Sequence, residues 1–319
     1  MQKLAIGIDI GGTNISYGVV TEDGIVKLKE SFPIKEFKEV TGFVDYLSER
    51  INHSLAGLST EFQLMGVGIG APNGNYYKGT IEHAPNLNWK GIVPLADILS
   101  KKINLPVRLT NDANAAAMGE MIYGSAKNLK NFLMVTLGTG LGSGFVANGK
   151  MILGHDGFAG ELGHAIFDPN GRQCNCGRKG CLETYASASG IVRTVKELLT
   201  ESDEPSVLRD IPMEKISSEI IYKASLEADP IAKKAFDFTA YVLGVMLANA
   251  VAITSPEVIF LFGGLANAGD RIFKPVKKYM EEYLLNIYKG KVELKPSALS
   301  ENDAAILGAA ALVWNNRDC

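Results

Sequence analysis

LAIGIDIGGTNISYGVVTEDGIVKL, residues 4–28, is the first of two copies of a pattern that decides the fold of this chain. The second copy is FLMVTLGTGLGSGFVANGKMIL, residues 132–153. Each copy has a run of β-forming residues, a glycine loop, a second such run and a hairpin signal, which is Asp23-Gly24 or Asn148-Gly149. The repeat therefore predicts two lobes of related topology, with a glycine hairpin from each lobe facing a shared central cleft.

The segments between and after the two copies alternate between strand and helix patterns. Residues 41–58 carry a helical apolar stripe, formed by Phe43, Leu47, Ile51, Leu55 and Leu58. Residues 64–72, 105–112 and 258–262 are typical of buried strands, and the chain after Glu183 is mostly helical. Alternation of this kind predicts an α/β protein.

The predicted domains follow from the same pattern. Residues 1–112 form an N-terminal α/β lobe, which an apolar helix over residues 302–316 completes. Residues 113–301 form a C-terminal α/β lobe. A length of 319 residues is sufficient for two such cores.

Composition and charge exclude several classes of protein. The net charge of -3 gives no electrostatic basis for binding nucleic acid or an anionic membrane. The N-terminus has neither the character of a transit peptide nor that of a secretory signal. The apolar run at residues 241–253 is too short, as a sequence pattern, to span a bilayer. We therefore expect a cytoplasmic protein that binds neither nucleic acid nor membranes.

The stretch ELGHAIFDPNGRQCNCGRKGCLE, residues 161–183, contains a candidate metal site. Its four soft or borderline ligands are His164, Cys174, Cys176 and Cys181. This set suits a tetrahedral structural Zn²⁺ with no open position for a catalytic water. In a reducing compartment metal binding is favoured over a disulfide, and free thiols or redox chemistry are the alternatives. The remaining cysteine, Cys319, is expected to be an idle thiol.

The glycine loops are candidate phosphate sites, because backbone N–H groups can approach an anion where no Cβ intervenes. Neither loop fits the dinucleotide fingerprint or the P-loop, and each could alternatively be a simple tight hairpin. Gly263-Gly264 ends a further strand, and it either packs a helix or supports an adenine ring. Asp9, which precedes the first loop, could hold Mg²⁺ against phosphates or merely form the turn.

Asn111 and Asp112 lie where a strand passes into an alanine-rich helix. Asp112 could serve as the helix cap. It could equally accept the proton of a hydroxyl that attacks a phosphate, with Asn111 holding a neighbouring hydroxyl. Phosphoryl transfer tolerates a weak base, because positioning matters more than basicity. The local sequence does not decide between these two roles.

Together these motifs resemble the ROK family of sugar kinases, within the actin-like ATPase superfamily, over nearly the whole chain. The Cys/His signature with its flanking glutamates is the most distinctive part of the resemblance. The resemblance implies a two-lobed, ribonuclease H-like fold and makes Asp112 the catalytic base. It implies that the sugar is bound by Asn86, Asn111, Asp112, Glu161, His164 and Glu183. It implies that ATP and Mg²⁺ are bound by Asp9, Gly11, Gly12, Thr13, Asn14, Gly138, Thr139, Gly140, Gly263 and Gly264.

The implied activity is phosphorylation of a hexose by ATP, with glucose at its 6-hydroxyl as the favoured substrate. Fructose, mannose, allose and N-acetylmannosamine are alternatives. Zn²⁺ is expected to be structural, and a hinge is expected near residues 112–116 and 300. A homodimer or a dimer of dimers is implied by the family. A sugar-responsive repressor is less favoured, because the first glycine loop leaves no room for a helix-turn-helix before it. A catalytically silent sugar-binding protein would need neither Asp9 nor Asp112.

Overall fold

The computed structural model describes residues 1–58 and 61–314, so the expectation for Cys319 falls outside the described residues. The strands are β1 Gln2–Ile10, β2 Asn14–Thr21, β3 Val26–Pro33, β4 Phe62–Gly70, β5 Gly74–Asn75, β6 Thr80–Glu82, β7 Ile92–Val93, β8 Val107–Thr110, β9 Phe132–Leu137, β10 Leu141–Ala147, β11 Lys150–Met151, β12 Val258–Phe262 and β13 Glu293–Pro296. The helices are α1 Val40–Ala56, α2 Leu95–Ile103, α3 Asp112–Ile122, α4 Ala188–Glu201, α5 Ser218–Leu226, α6 Pro230–Thr254, α7 Asp270–Tyr283 and α8 Ala304–Trp314.

The described chain forms two compact units. The first comprises residues 1–130, 144–160 and the segment that begins at Ala298, and the second comprises residues 131–143 and 161–297. A compact unit need not coincide with a lobe that moves as one body, so the lobe boundaries expected at residues 112 and 301 stay predictions.

The two five-stranded sheets have the same topology. The first has the order β3-β2-β1-β4-β8, and the second has the order β11-β10-β9-β12-β13. In the first sheet β1 pairs antiparallel with β2 and parallel with β4. In the second, β12 pairs parallel with both β9 and β13, while β10 and β11 form an antiparallel hairpin. The repeat seen in the sequence thus corresponds to two mixed sheets, each opened by a glycine-loop hairpin, and the predicted α/β fold is confirmed.

The core of the first unit is built on helices that pack closely against its sheet. The predicted helix over residues 41–58 is α1, and the side chains of Phe43, Leu47 and Ile51 are buried. On α8, the backbone itself approaches the strands. A Cβ at Gly7 would lie 2.0 Å from the carbonyl oxygen of Ile306, and one at Gly68 would lie 1.8 Å from that of Ala309. Glycine at these two strand positions is what allows α8 to sit so close.

Helix α6 corrects one sequence-based expectation. The apolar segment expected to be too short for a bilayer belongs to a helix of 25 residues, which is long and apolar enough to cross one by length and composition alone. Its most apolar window is 61% buried inside the protein. The helix contacts α4, α5 and α7 of the second unit. Such burial is typical of the core helix of a folded domain, and we describe α6 as one.

A short three-stranded sheet, with the order β5-β6-β7, was not predicted. Asn73 stands just before this sheet. Its φ of 51° lies in the left-handed region, which glycine adopts freely and asparagine tolerates best among the other residues. The Asn73 side chain donates to the carbonyl oxygens of Glu82 and His83, which helps to hold the turn.

Candidate functional site

The first glycine loop connects β1 to β2 inside the first unit. The Gly11 N–H donates to the carbonyl oxygen of Asn14 at 2.9 Å, which closes the hairpin. A Cβ at Gly12 would lie only 3.0 Å from the Cβ of Asn86. Thr13 is tied to the segment after β3, because its carbonyl oxygen accepts the Ile34 N–H. The predicted phosphate loop and the predicted sugar-binding Asn86 are therefore neighbours.

Asp9 near the end of β1 and Asp112 at the start of α3 both lie close to Gly70, the last residue of β4. A Cβ at Gly70 would be 3.9 Å from Oδ1 of Asp9 and 3.8 Å from the Cα of Asp112. Burial raises the pKa of Asp9 to about 6, and the charge of Asp112 adds to this rise. Two like charges in one confined place favour a cation between or beside them.

Helix α3 begins at Asp112, but the residue that caps it is Asn111. Oδ1 of Asn111 accepts the N–H of Asn114 at 2.7 Å. Oδ1 of Asp112 accepts the neighbouring Ala113 N–H at 2.8 Å. Asp112 is exposed at its surface, while desolvation of its carboxylate by the protein around it raises its pKa. The backbone hydrogen bonds to this carboxylate oppose the rise only in part. Asp112 is thus not needed as the cap and has an accessible carboxylate of increased basicity.

The second glycine loop connects β9 to β10 and is attached to the start of α4. The Ala188 N–H donates to the carbonyl oxygen of Gly138 at 2.9 Å. The Ser189 hydroxyl donates to the carbonyl oxygen of Thr139 at 2.7 Å. A Cβ at Gly140 would lie 2.7 Å from Oε2 of Glu183. This loop, the N-terminus of α4 and Glu183 therefore form one local arrangement in the second unit.

Gly263 and Gly264 follow β12 next to the end of β9. Gly263 has a φ of 98°, and a Cβ there would be 2.9 Å from the carbonyl oxygen of Leu137. That carbonyl also accepts the Leu265 N–H at 3.2 Å. A Cβ at Gly264 would meet no described atom within 4 Å, so this position leaves open space beside the strand end. The pair thus combines close strand packing at Gly263 with open space at Gly264.

The Cys/His stretch gathers its four candidate ligands into one cluster. One donor atom from each of His164, Cys174, Cys176 and Cys181 lies within 4.8 Å of the others. The sulfur atoms of Cys176 and Cys181 are 3.6 Å apart, and the Cys174 sulfur is 3.8 Å from Nδ1 of His164. A tetrahedral zinc with Zn–S bonds of about 2.3 Å would place its sulfurs about 3.8 Å apart. The cluster fits a structural Zn²⁺.

The position of His164 is compatible with two partners for its ring. Nδ1 faces the Cys174 sulfur and is 3.7 Å from Oε1 of Glu183. The other ring nitrogen, Nε2, is then the one left for a ligand outside the cluster. Glu161 stands immediately before the short helical turn Leu162–His164, and its side chain is exposed.

Sequence reasoning missed the cationic side chain that supports this cluster. Arg178 donates to the carbonyl oxygen of His164 at 3.0 Å. Burial would raise the pKa of Cys176, but hydrogen bonds from the Arg178 backbone and guanidinium lower it to about 6. Because Arg178 is exposed and lies in a run of charged and glycine residues, no local pattern distinguishes it from an ordinary surface arginine.

Each unit therefore carries a coherent part of the predicted residues. In the first unit lie Asp9, Gly11, Gly12, Thr13, Asn14, Asn86, Asn111 and Asp112. In the second unit lie Gly138, Thr139, Gly140, Glu161, His164, Cys174, Cys176, Cys181, Glu183, Gly263 and Gly264.

Comparison with known proteins adds an independent line of support. The sequence model of the ROK family matches residues 5–316. A glucokinase from Halalkalibacterium halodurans is 37% identical over 312 residues, which cover 97% of this chain and 94% of that protein. A xylose repressor from Caldicellulosiruptor bescii is 30% identical over 313 residues, which cover 97% of this chain and 77% of the repressor.

Among solved structures, a ROK family glucokinase from Streptomyces griseus in complex with glucose and AMPPNP superposes with a TM-score of 0.79. It is 33% identical, and the match covers 97% of this chain and 98% of that one. The superposition agrees with the fold predicted from the repeat.

Proposed function

We propose that this chain, which belongs to the ROK family, transfers the γ-phosphate of ATP to a hydroxyl of a hexose, with glucose and its 6-hydroxyl as the favoured substrate. The likeness to a glucokinase that is 37% identical supports a sugar kinase. The likeness to a structure that holds glucose and AMPPNP supports the same pair of substrates.

The observation that carries the proposal is the state of Asp112. Its carboxylate is accessible at the first turn of α3, while Asn111 takes the role of helix cap. Its surroundings raise its pKa, which makes it a better proton acceptor than an ordinary aspartate. In the proposed reaction Asp112 holds the sugar hydroxyl for attack and accepts its proton. The glycine loops bind the phosphates through backbone N–H groups.

Asp9 is the residue we propose to hold Mg²⁺, directly or through water. A half-buried carboxylate with a pKa of about 6 near a second carboxylate has charge that a divalent cation would neutralise. Bound Mg²⁺ would offset the charge of the transferring phosphates. Gly263 and Gly264 are proposed to accept the adenine ring, since Gly264 leaves space that a side chain would fill.

Sugar hydroxyls are proposed to be bound by Asn86, Asn111, Glu161, His164 and Glu183. These side chains offer acceptors and donors at fixed positions, which a polyhydroxylated ligand requires. Zn²⁺ held by His164 and the three cysteines would fix the turn that carries His164. Oε1 of Glu183 lies 3.7 Å from Nδ1 of this histidine. We propose a purely structural role for the metal, because the four ligands fill its coordination sphere.

Other hexoses remain within the same chemistry. Mannose and allose are epimers of glucose, fructose is its ketose isomer, and N-acetylmannosamine carries an acetamido group at C2. The residues above do not discriminate among these sugars. We also propose a cytoplasmic location and a homodimer or a dimer of dimers. Light scattering after size-exclusion chromatography measures the oligomeric state.

A second candidate function is a sugar-responsive regulator, which the 30% identity to a xylose repressor favours. Such a protein would bind a sugar without turning over ATP. The retained pair of Asp9 and Asp112 supports the kinase instead, because sugar sensing requires neither a metal-binding carboxylate nor a base.

The test is ADP release, coupled to NADH oxidation, across a panel of hexoses, xylose and N-acetylhexosamines, with and without Mg²⁺. We expect Mg²⁺-dependent turnover that is highest with glucose. The turnover of Asp112→Asn should be lower by a factor of about 10²–10⁴, which is the range for removal of a positioned base. Its glucose affinity should stay close to that of the unmodified protein. Asp203→Asn, an exposed aspartate elsewhere, is the matched control.

Full turnover in Asp112→Asn would refute the base assignment. Sugar binding without ADP release, for every sugar in the panel, would favour the regulator.

A further inference from the structure

Arg172 is a buried cation two residues before Cys174. Only 8% of its surface is exposed, which is rare for arginine. Its Nη1 donates to the carbonyl oxygens of Thr184 at 2.7 Å and Gly190 at 3.3 Å. Its Nη2 donates to the Thr194 hydroxyl at 2.9 Å, and both Nε and Nη2 donate to Glu197. The guanidinium is thus fully used in holding the protein together.

Aromatic side chains complete the setting of this arginine. The guanidinium carbon lies 4.6 Å from the centre of the Tyr185 ring and 5.8 Å from that of Phe238. The backbone N–H of Arg172 donates to the Tyr185 hydroxyl at 3.0 Å. The backbone and the side chain of Arg172 therefore both contact Tyr185, and these contacts fix the arginine against the turn that precedes α4.

What Arg172 holds is the segment that carries Glu183. Thr184, whose carbonyl oxygen it binds, directly follows Glu183 in the short helical turn Leu182–Thr184. The Glu183 carbonyl itself accepts the Ser187 hydroxyl at 2.7 Å, and Ser187 caps α4. Arg172 binds the same helix at Gly190 and Thr194. One guanidinium therefore links the Cys/His loop, the Glu183 turn and α4.

We propose that Arg172 is a positioning residue for sugar binding, which fixes the Glu183 carboxylate through the Thr184 carbonyl by contacts that do not involve the metal ligands. This inference rests on the proposed function, in which Glu183 binds a sugar hydroxyl. Lysine cannot replace it, because an ammonium lacks the planar fork that serves several acceptors in one plane.

The chain offers a matched control in Arg193. This arginine also forms an ion pair with Glu197, with Nε 3.0 Å from Oε1. It is half-exposed and donates to the carbonyl oxygen of Gln173 rather than to Thr184. Arg193→Gln therefore removes a charge from the same network without touching the Glu183 turn.

The experiment compares Arg172→Lys, Arg193→Gln and the unmodified protein by calorimetric glucose titration and by the KM values for glucose and ATP. A hydrogen bond to a charged group contributes about tenfold to a hundredfold in affinity, so we expect glucose affinity in Arg172→Lys to fall by about tenfold or more when the Glu183 carboxylate is displaced. The KM for ATP should change much less than the glucose affinity, because the loop at 138–140 keeps its own bonds to Ala188 and Ser189. Arg193→Gln should bind glucose normally.

Chemical rescue provides a second measurement. Arg172 lines an open pocket of about 520 Å³, together with Tyr185, Leu198 and Phe238, so a small cation can reach the space that Arg172→Ala would leave. Millimolar guanidinium chloride should restore much of the glucose affinity of Arg172→Ala, whereas sodium chloride at equal ionic strength should not. A variant that is merely less stable would not regain affinity from this particular cation.

Equal glucose affinities in folded Arg172→Lys and Arg193→Gln would overturn the inference, and so would a folded Arg172→Ala that guanidinium leaves unchanged. If Arg172→Ala does not fold, the comparison of Arg172→Lys with Arg193→Gln alone decides. Failure of the unmodified protein to bind any hexose would instead refute the proposed function, so the two failures are distinguishable.

Discussion

Asp9→Asn should change how the stability of the first unit depends on pH. The pKa of Asp9 is about 6 in the folded chain, against about 3.9 for an unfolded one. Each unit of that difference corresponds to about 1.4 kcal/mol, so ionising Asp9 in the folded protein costs at most about 3 kcal/mol. The cause is burial first and the charge of Asp112 second.

The sign of the effect follows from proton binding. Between about pH 4 and pH 6 the folded state binds the Asp9 proton and the unfolded state does not, so this group destabilises the fold progressively as pH rises. Asparagine does not titrate. The free energy of unfolding of Asp9→Asn should therefore rise relative to the unmodified protein by up to about 3 kcal/mol between pH 4 and pH 7.

Urea unfolding followed by tryptophan fluorescence is a suitable assay. The chain has two tryptophans, Trp89 and Trp314, and both lie in the first unit with Asp9. Urea titrations at half-unit steps of pH, in buffer without Mg²⁺, give the difference in the free energy of unfolding between Asp9→Asn and the unmodified protein. Asp203→Asn controls for loss of a negative charge at an exposed position.

Asp112→Asn provides an internal check, because it removes the second cause of the raised Asp9 pKa. In this background the stability difference caused by Asp9 should develop around a lower pH. Parallel stability profiles for Asp9→Asn and the unmodified protein across this range would refute the reasoning.

Three further predictions concern other parts of the molecule. Cys176→Ser should lose its bound zinc, and its thermal stability and glucose affinity should fall together. If metal analysis verifies the loss of zinc and the glucose affinity is unchanged, the structural role of the metal is contradicted. Gly68→Ala should destabilise the first unit by about 1–3 kcal/mol or more, because its Cβ would lie 1.8 Å from a carbonyl oxygen of α8. Gly42→Ala should not destabilise it, because its new Cβ would meet no described atom within 4 Å. Equal shifts of the two variants in the fluorescence-detected Tm would argue against tight packing of α8. Ser189→Ala should raise the KM for ATP more than the KM for glucose, because it removes the hydrogen bond to the Thr139 carbonyl oxygen. Ser189→Thr should restore the KM for ATP. Identical KM values for ATP in the two variants and the unmodified protein would exclude Ser189 as a support of the loop.

The repeated pattern was readable because it is local. A β-run, a glycine loop and a hairpin signal such as Asn148-Gly149 lie within a few residues of one another, and both glycine-loop hairpins form as predicted. The Cys/His cluster was readable for the same reason, because its ligands lie within 18 residues of sequence, from His164 to Cys181.

The supports of the candidate site could not be predicted in this way. Arg172 acts on Thr184, Gly190, Thr194 and Glu197, which belong to a turn and a helix that are placed only by the tertiary fold. The close approach of α8 to Gly7 and Gly68 is likewise a contact between opposite ends of the chain. The full length of α6 was missed because Lys233, Lys234 and Asp237 interrupt the apolar pattern without interrupting the helix.

The close seating of α8 also has a consequence for how the protein is made. Strand β1 leaves the ribosome well before α8, the helix that covers its glycine face and begins only at Ala304. At about 5–20 residues per second, synthesis of the intervening chain takes on the order of 15–60 s. All segments of the second unit are complete once Ser297 has emerged. The nascent first sheet must therefore wait with one apolar face uncovered, and we expect this face to be a site of chaperone protection during synthesis.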